Sequence, residues 1–246
     1  MKYVGYIGLI ALLGMMGIFW EATTRGLDVS DEGIFLVTAF TPERIPTQST
    51  RYSEILHVMT YLTGESIVGL RRMGLLLHAV SAIALAAALA AWPGARSSPG
   101  FLVLLAAAGL GTLAGFSTTA QTPSYNDLNH VCLCLGTAVM LFWLRGRVVA
   151  WRSAFFLGLL LLLYLQYLAK YPSAVLMAGL ITGVLAVRLY FETPERLQKF
   201  LPVLLAIPMI VLIAFAVLIY QRESVYIHYV LGRYLESSQL LRLFLI

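Results

Sequence analysis

Long apolar runs alternate with short polar connections along most of the chain. A helix needs about 20 mostly apolar residues to cross roughly 30 Å of hydrocarbon. Seven runs approach that length, at residues 3–20, 73–92, 101–116, 128–144, 153–169, 173–191 and 200–220. The fifth and sixth runs are separated only by Lys170, Tyr171 and Pro172, which predicts a tight turn between two passes. The pattern therefore predicts an all-α, polytopic membrane helix bundle with about seven spans.

Composition agrees with this fold class. Of the 246 residues, 60% are hydrophobic and 12% are charged, whereas about a quarter of the residues in a soluble domain are charged. A soluble globular protein and a disordered chain are excluded on this ground. The net charge of +5 does not indicate nucleic-acid binding, because the basic residues lie in the gaps between apolar runs. The spacing of Cys132 and Cys134, one residue apart inside an apolar run, strongly disfavours a mutual disulfide.

The distribution of Lys and Arg predicts the orientation of the spans, because cytoplasmic connections are enriched in these residues. With the N-terminus in the cytoplasm, only Lys170 lies in the short outer turns. The inner side then has eight basic residues: Lys2, Arg96, Arg145, Arg147, Arg152, Arg188, Arg196 and Lys199. In this arrangement residues 1–246 form a single transmembrane domain. Residues 21–72 become an extracytoplasmic loop, and residues 221–246 an extracytoplasmic C-terminal segment.

The first outer loop is too apolar for a simple linker, and we expect two interfacial helices in it. The first has Ser30 as a predicted N-cap with Asp31 and Glu32 in its first turn, where carboxylates are favoured. The second covers residues 50–62, with apolar positions at helical spacing, and ends at Gly64. After it, Arg71 and Arg72 are expected at the mouth of the second span, at the depth of lipid phosphates.

The pair Asp31-Glu32, early in the first outer loop after one N-terminal span, resembles a motif of the GT-C glycosyltransferases. The resemblance is to members of the protein O-mannosyltransferase and aminoarabinose-transferase type. Three further features are similar to that family. The sequence of residues 62–72 has an apolar stretch, a Gly and then an Arg that opens the second span. Asp127 lies in the outer loop after the third span, and Lys170 lies in the outer turn between the fifth and sixth spans.

Two features depart from the family pattern. The usual Lys-Pro-Pro stretch of the first loop is missing, and residues 48–52 stand in its place. Family members also continue with further spans, so we expect the chain to be an N-terminal seven-span portion or a short relative. A Gly-rich phosphate-binding loop is absent from the sequence, which argues against direct use of a nucleotide sugar.

The resemblance implies transfer of a sugar, with inversion, from a polyprenyl-phosphate carrier to a lipid, glycan or protein acceptor. It also implies a location in the bacterial inner membrane, with the reaction on the outer face. The acceptor hydroxyl needs a base, which by the match is Asp31, and the leaving phosphate needs cationic donors. The expected catalytic carboxylates are Asp31, Glu32 and Asp127. The residues expected to bind substrate or lipid phosphate are Arg51, Arg71, Arg72, Lys170, Tyr125 and Asn126.

Four of these residues also have a simpler structural interpretation. Asp127 precedes a span and is placed to cap its helix. Lys170 in a tight turn is placed to neutralise the carbonyl groups that end the fifth span. Arg71 and Arg72 are placed to reach lipid headgroups.

No cofactor and no protein-bound metal is predicted. Two arrangements of side chains nevertheless keep a bound divalent cation as an alternative. Asp28 and Glu32, at i and i+4, could share a hard divalent cation. Asp127, His130 and Cys134 lie on one helical face, a spacing more typical of a cap and core residues than of a metal site.

Two other functions stay open beside the enzyme: a membrane transporter, and a non-catalytic relative that binds lipid. A transporter usually places ionisable groups or broken helices near the bilayer midplane. The predicted spans lack Asp, Glu, Lys and Arg at that depth.

Overall fold

A computed structural model describes residues 2–24, 31–41, 51–91, 98–117, 122–145 and 149–192. Within these ranges all regular secondary structure is α-helical, which confirms the predicted all-α class. The helices are α1 (Lys2–Ala22), α2 (Asp31–Phe40), α3 (Tyr52–Leu62), α4 (Ile67–Ala90), α5 (Ser98–Ser117), α6 (Tyr125–Arg145) and α7 (Val149–Glu192). The predicted span at 200–220 and the segment 221–246 lie outside the described residues.

Three helices among the described residues are long and apolar enough to cross a membrane. They are Tyr3–Ala22, Ile67–Ala90 and Tyr125–Arg145, and they correspond to the first, second and fourth predicted spans. Shorter apolar helices cover Gly100–Leu113, Ala154–Lys170 and Pro172–Val184. α1 also exposes large apolar side chains along its length, including Tyr3, Ile7, Ile10 and Ile18. Since a water-soluble protein rarely exposes so continuous an apolar surface, these features indicate a membrane protein.

Small residues allow α1 and α5 to pack closely. A Cβ added at Gly8 of α1 would lie 2.7 Å from the Cβ of Ala106 in α5, and one added at Gly109 of α5 would lie 2.6 Å from Leu12. These distances leave no room for a side chain at either glycine. Helices in lipid associate mainly through such van der Waals contact, because apolar burial provides no driving force between them there.

The helix α4 lies between α5 and α6 and packs against both. On one side, Leu75 of α4 is buried with Leu12 of α1 and Leu113 of α5. On the other side, a Cβ added at Gly74 would lie 2.6 Å from the Pro123 Cγ at the entry to α6. α4 therefore positions the start of α6.

The helices α2 and α3 pack on each other, and α3 packs on α4. Leu56 and Met59 of α3 lie in a cluster of buried apolar side chains with Leu36 of α2. The same cluster includes residues of α4, α6 and α7: Leu70, Leu128 and Ala169. Helix α3 begins at Tyr52, close to the predicted start at residue 50. The two helices are thus folded onto the bundle.

A tight turn joins α3 to α4. Gly64 and Glu65 have φ angles of 64° and 57°, and the Glu65 amide donates a hydrogen bond to the Thr60 carbonyl oxygen at 2.8 Å. Ser66 caps α4, because its Oγ accepts a hydrogen bond from the Gly69 amide at 3.1 Å. α4 consequently begins at Ile67, one and a half turns before the predicted start of the span at residue 73.

The helix α7 is interrupted at Lys170, whose φ of −156° and ψ of 90° are extended and not helical. The sequence predicted a tight turn between two passes at Lys170-Tyr171-Pro172, and the structure has a kink at Lys170 within α7. The chain divides into two compact units. The first contains α1 to α6 and α7 as far as Met177, and every residue of the site described below belongs to it. The described part of the second unit runs from Ala178 to Glu192, where the Thr182 Oγ1 donates to the Ala178 carbonyl oxygen at 2.8 Å.

Candidate functional site

The first turn of α6 is organised by Ser124 and Asp127. The Asp127 Oδ2 accepts hydrogen bonds from the Ser124 amide at 2.9 Å and from the Ser124 Oγ at 2.6 Å. The Asp127 amide donates in return to the Ser124 Oγ at 3.2 Å. This reciprocal pair is a capping box, which satisfies two backbone donors at the start of a helix. Asp127 therefore caps α6, as the simpler interpretation of its position expected.

A buried polar cluster lies next to this cap. The His78 Nε2 of α4 lies 3.5 Å from the Asp127 Oδ1, and His78 is 1% exposed. The His78 ring stacks on the His130 ring with 5.7 Å between centroids. One turn further along α6, the Cys134 Sγ lies 3.6 Å from the His130 Nε2. Among the described residues no group of three or more His, Cys, Asp or Glu side chains has the arrangement of a metal site.

Lys170 extends from the break in α7 to the first turn of α6. Its Nζ donates a hydrogen bond to the Asn126 Oδ1 at 3.0 Å, and the same ammonium group lies 5.6 Å from the centre of the Tyr125 ring. Both partners are uncharged, and in the described part of the chain Lys170 makes no ion pair. The ammonium group therefore keeps its positive charge available for an anion. The structure brings together three of the predicted site residues here, although 44 positions separate Lys170 from Asn126.

Further contacts fix the position of Lys170. One turn before it, the buried Gln166 donates from Nε2 to the Asn129 Oδ1 of α6 at 3.1 Å. Two residues before Lys170, the Leu168 carbonyl oxygen accepts a hydrogen bond from the Arg51 amide at 2.9 Å. The site is thus supported by α6 on one side and by the start of α3 on the other.

Tyr52 links α2 and α3 to this site. Its ring lies 6.0 Å from the Phe35 ring of α2 and 5.9 Å from the Tyr125 ring, both in edge-to-face arrangements. Burial raises the pKa of the Tyr52 phenol above its ordinary value, although a side-chain hydrogen bond with Thr38 lowers it in part. The sequence indicated only that Tyr52 belongs to the apolar face of α3, so its contact with Tyr125 was missed. Helical spacing identifies a buried face but not the residue it contacts.

The other basic residues of the predicted site have separate partners. Arg51 forms an exposed ion pair with Glu54, an interaction that contributes little to stability. Arg71 is 2% exposed, and its Nη1 donates to the Thr23 carbonyl oxygen at 2.9 Å. The Arg72 guanidinium lies 4.6 Å from the centre of the Trp20 ring. These contacts of Arg71 and Arg72 hold both side chains at the end of α1.

Asp31 and Glu32 form the first turn of α2, as expected, but their side chains lie outside the described part of the structure. Their helix is placed through Phe35, which lies one turn further along α2 and contacts Tyr52. Asp28, the partner of Glu32 in the cation arrangement, is also outside the described residues. The contact of Phe35 with Tyr52 thus places α2 next to the Tyr125 side of the site.

Comparisons of the chain with protein-family models, with curated proteins and with solved structures found no match.

Proposed function

We propose that the protein is a GT-C-like membrane glycosyltransferase that moves a hexose or pentose from a polyprenyl-phosphate carrier to an acceptor on the extracytoplasmic face. The proposal includes seven spans with the N-terminus in the cytoplasm of a bacterial inner membrane. The acceptor is a lipid, a glycan or a protein. The observation that carries the proposal is the Lys170 ammonium group, which is fixed by Asn126 and Tyr125 and has only uncharged partners among the described residues.

The surroundings of Lys170 suit a phosphate group attached to a lipid. The first turn of α6 begins beside it, and the start of a helix favours negative charge. The half-buried ring of Tyr125 provides a flat apolar surface that is suited to stacking on a sugar ring. The buried Tyr52 ring contacts it in an edge-to-face arrangement and supports it. Apolar helices on both sides of the site can accommodate a polyprenyl chain. A cation in such surroundings stabilises the charge that develops on a leaving phosphate.

In the proposed reaction the acceptor oxygen attacks the anomeric carbon of the sugar. The bond from that carbon to the phosphate oxygen breaks, and polyprenyl phosphate leaves with the bonding electrons. Asp31 takes the proton of the acceptor hydroxyl, and attack from the side opposite the phosphate inverts the configuration. The burial of Asp127 and its two hydrogen bonds from Ser124 favour Asp31 over Asp127 as the base.

The binding half of the proposal can be tested without knowledge of the sugar. Farnesyl phosphate, a short polyprenyl phosphate, is titrated onto the full chain in phosphatidylcholine nanodiscs, with farnesol as the uncharged control. We expect Lys170→Gln to weaken binding about tenfold or more, since it removes a charged donor. Arg145→Gln is the matched control, because Arg145 is an exposed cation at the other end of α6. Equal binding by Lys170→Gln and wild type would remove the phosphate site.

The catalytic half is tested with a panel of polyprenyl-phosphate hexoses and pentoses and a lipid extract as the source of acceptor. Asp31→Asn is expected to abolish transfer while farnesyl phosphate binding is kept. Sugar transfer by Asp31→Asn at the wild-type rate would exclude Asp31 as the general base. Binding without any transfer by the wild-type chain would instead support the non-catalytic, lipid-binding relative.

A transporter is the second candidate, and the buried cluster of His78, Asp127 and His130 is the observation that favours it. Ionisable groups buried between membrane helices often line the path of an ion or substrate. Solute flux into proteoliposomes that is lost in His78→Ala, without any glycosyl product, would support the transporter.

A further inference from the structure

One face of α4 contacts the start of α6 at two successive turns. At the first, Gly74 leaves space for Pro123, since an added Cβ would lie 2.6 Å from the Pro123 Cγ. At the second, the His78 Nε2 lies 3.5 Å from the Asp127 Oδ1. Gly74 and His78 are four residues apart, so they lie on the same side of the helix. This face of α4 therefore contacts the segment that leads into α6 over about one helical turn.

The two carboxylate oxygens of Asp127 have different partners. Oδ2 accepts from the Ser124 amide and Oγ within the capping box, whereas Oδ1 lies toward His78. At 5% exposure the carboxylate is not placed to receive a proton from a substrate hydroxyl. Its contacts join the cap of α6 to α4 instead.

The residues that contact Lys170 lie inside this same turn. Asn126, whose Oδ1 accepts the hydrogen bond from Lys170, is the neighbour of Asp127, and Tyr125 is the first residue of α6. A shift of the turn relative to α4 would move both residues relative to the ammonium group. A chain of contacts thus connects His78 to the partners of the Lys170 ammonium group.

We propose that His78, acting through Asp127, is a positioning residue for the Lys170 phosphate site. This inference rests on the proposed function, because it assumes that Lys170 binds the carrier phosphate. In it, Asp127 does not react with substrate. His78 orients the Asp127 carboxylate, the capping box fixes the first turn of α6, and that turn sets the direction in which the Lys170 ammonium group is presented.

The test is a double-mutant cycle with farnesyl phosphate, using the full chain in phosphatidylcholine nanodiscs. We expect His78→Ala to weaken binding about five- to tenfold, because it removes the polar contact of Nε2 with the Asp127 Oδ1. In the double variant His78→Ala/Lys170→Gln we expect no further loss beyond Lys170→Gln, because His78 acts only through the cation. His78→Gln, which keeps an N–H donor near the position of Nε2, is expected to restore most of the affinity.

Ser81→Ala is the matched control on α4, since Ser81 is buried and its Oγ donates to the His78 carbonyl oxygen and not to α6. It is expected to bind farnesyl phosphate like wild type. Where His78→Ala does not fold, Ser124→Ala replaces it, because this variant releases the other oxygen of the same carboxylate. The proposal is supported when Ser124→Ala lowers the affinity for farnesyl phosphate but the double variant Ser124→Ala/Lys170→Gln binds no more weakly than Lys170→Gln alone.

Wild-type affinity in His78→Ala, together with a loss in Lys170→Gln, would overturn the positioning role and leave the proposed function intact. Losses that add in the double variant would also overturn it, since they would show that His78 acts on the fold and not on the cation. Unchanged affinity in Lys170→Gln would remove both the phosphate site and the positioning role.

Discussion

The Arg71 Nη1 lies 2.9 Å from the Thr23 carbonyl oxygen, across 48 positions of the chain. Thr23 follows the last turn of α1, where carbonyl groups have no partner within the helix. A guanidinium group at that place satisfies one of these carbonyls and also interacts favourably with the helix dipole. Because Thr23 directly follows α1, Arg71 fixes the point at which the chain leaves that helix.

Replacement of Arg71 by Met is therefore expected to destabilise the protein. It leaves a buried carbonyl oxygen without this donor, which costs about 1–3 kcal/mol. Thermal unfolding in detergent measures the change. Arg145→Met is the matched control, since Arg145 is exposed at the end of α6, and it is expected to unfold close to the wild-type temperature. Equal unfolding temperatures for the two variants would show that the bond to Thr23 contributes nothing.

The sequence was sufficient to locate the apolar helices, because hydropathy and helix length are local properties. Its main error in the described spans was the start of α4, which was predicted at residue 73 and lies at Ile67. The prediction placed Arg71 and Arg72 outside the span, since charged side chains are costly in lipid. Arg71 is instead buried with a partner, Thr23, that directly follows α1, and a partner of this kind cannot be identified from hydropathy.

The candidate site was predictable only in part, for a related reason. The break at Lys170 followed from Lys170-Tyr171-Pro172, and the cap at Asp127 followed from its position before an apolar run. The contacts of Tyr52 with Tyr125 and of His78 with Asp127 join segments that are distant in sequence. Such pairs depend on how helices pack, and a single sequence gives only the faces on which the residues lie.

Because α1 and α5 approach closely at Gly8, we expect the stability of the protein to be strongly sensitive to substitutions at this residue. In Gly8→Val the new Cβ would lie within 2.7 Å of the Ala106 Cβ, so the helices must separate. Overpacking of this kind costs about 1–3 kcal/mol. Thermal unfolding in detergent is again the measurement. Gly14→Val is the matched control, because it adds the same side chain to the same helix with nothing within 4 Å.

A compensating change makes the test of Gly8 more specific. Gly8→Ala combined with Ala106→Gly moves one methyl group from α5 to α1 and keeps the volume between the helices. We expect the double variant to be more stable than Gly8→Ala alone. If the loss of stability in the double variant equals the sum of the losses in Gly8→Ala and Ala106→Gly, the two residues are not in contact.

The turn between α3 and α4 predicts opposite effects at two adjacent positions. Gly64 has a φ of 64°, and side chains in this left-handed region cost about 1–2 kcal/mol. Gly64→Ala should therefore lower stability, although nothing lies within 4 Å of its added Cβ. Glu65 already has a left-handed φ of 57°, so Glu65→Gly should be neutral or stabilising. Chemical denaturation compares the two, and a large loss in Glu65→Gly would contradict the prediction.

Because the Tyr52 phenol is buried, we expect the stability of the protein to depend on pH in the alkaline range. Burial raises the pKa of its phenol in the folded protein, whereas the phenol of an unfolded chain ionises near its ordinary value of about 10. The folded state therefore retains the proton at a pH where the unfolded state has lost it. This contribution to stability is fully present below about pH 10 and is lost as the pH rises through the pKa of the folded protein.

The unfolding temperature of wild type and of Tyr52→Phe, measured across this alkaline range, tests the prediction. Because phenylalanine keeps the ring but has no proton to lose, wild type should lose stability more steeply than Tyr52→Phe above about pH 10. Tyr61→Phe is the matched control on the same helix, since Tyr61 is 79% exposed, and it should follow the wild-type curve. Parallel curves for wild type and Tyr52→Phe would show that the Tyr52 phenol ionises alike in the folded and unfolded chains.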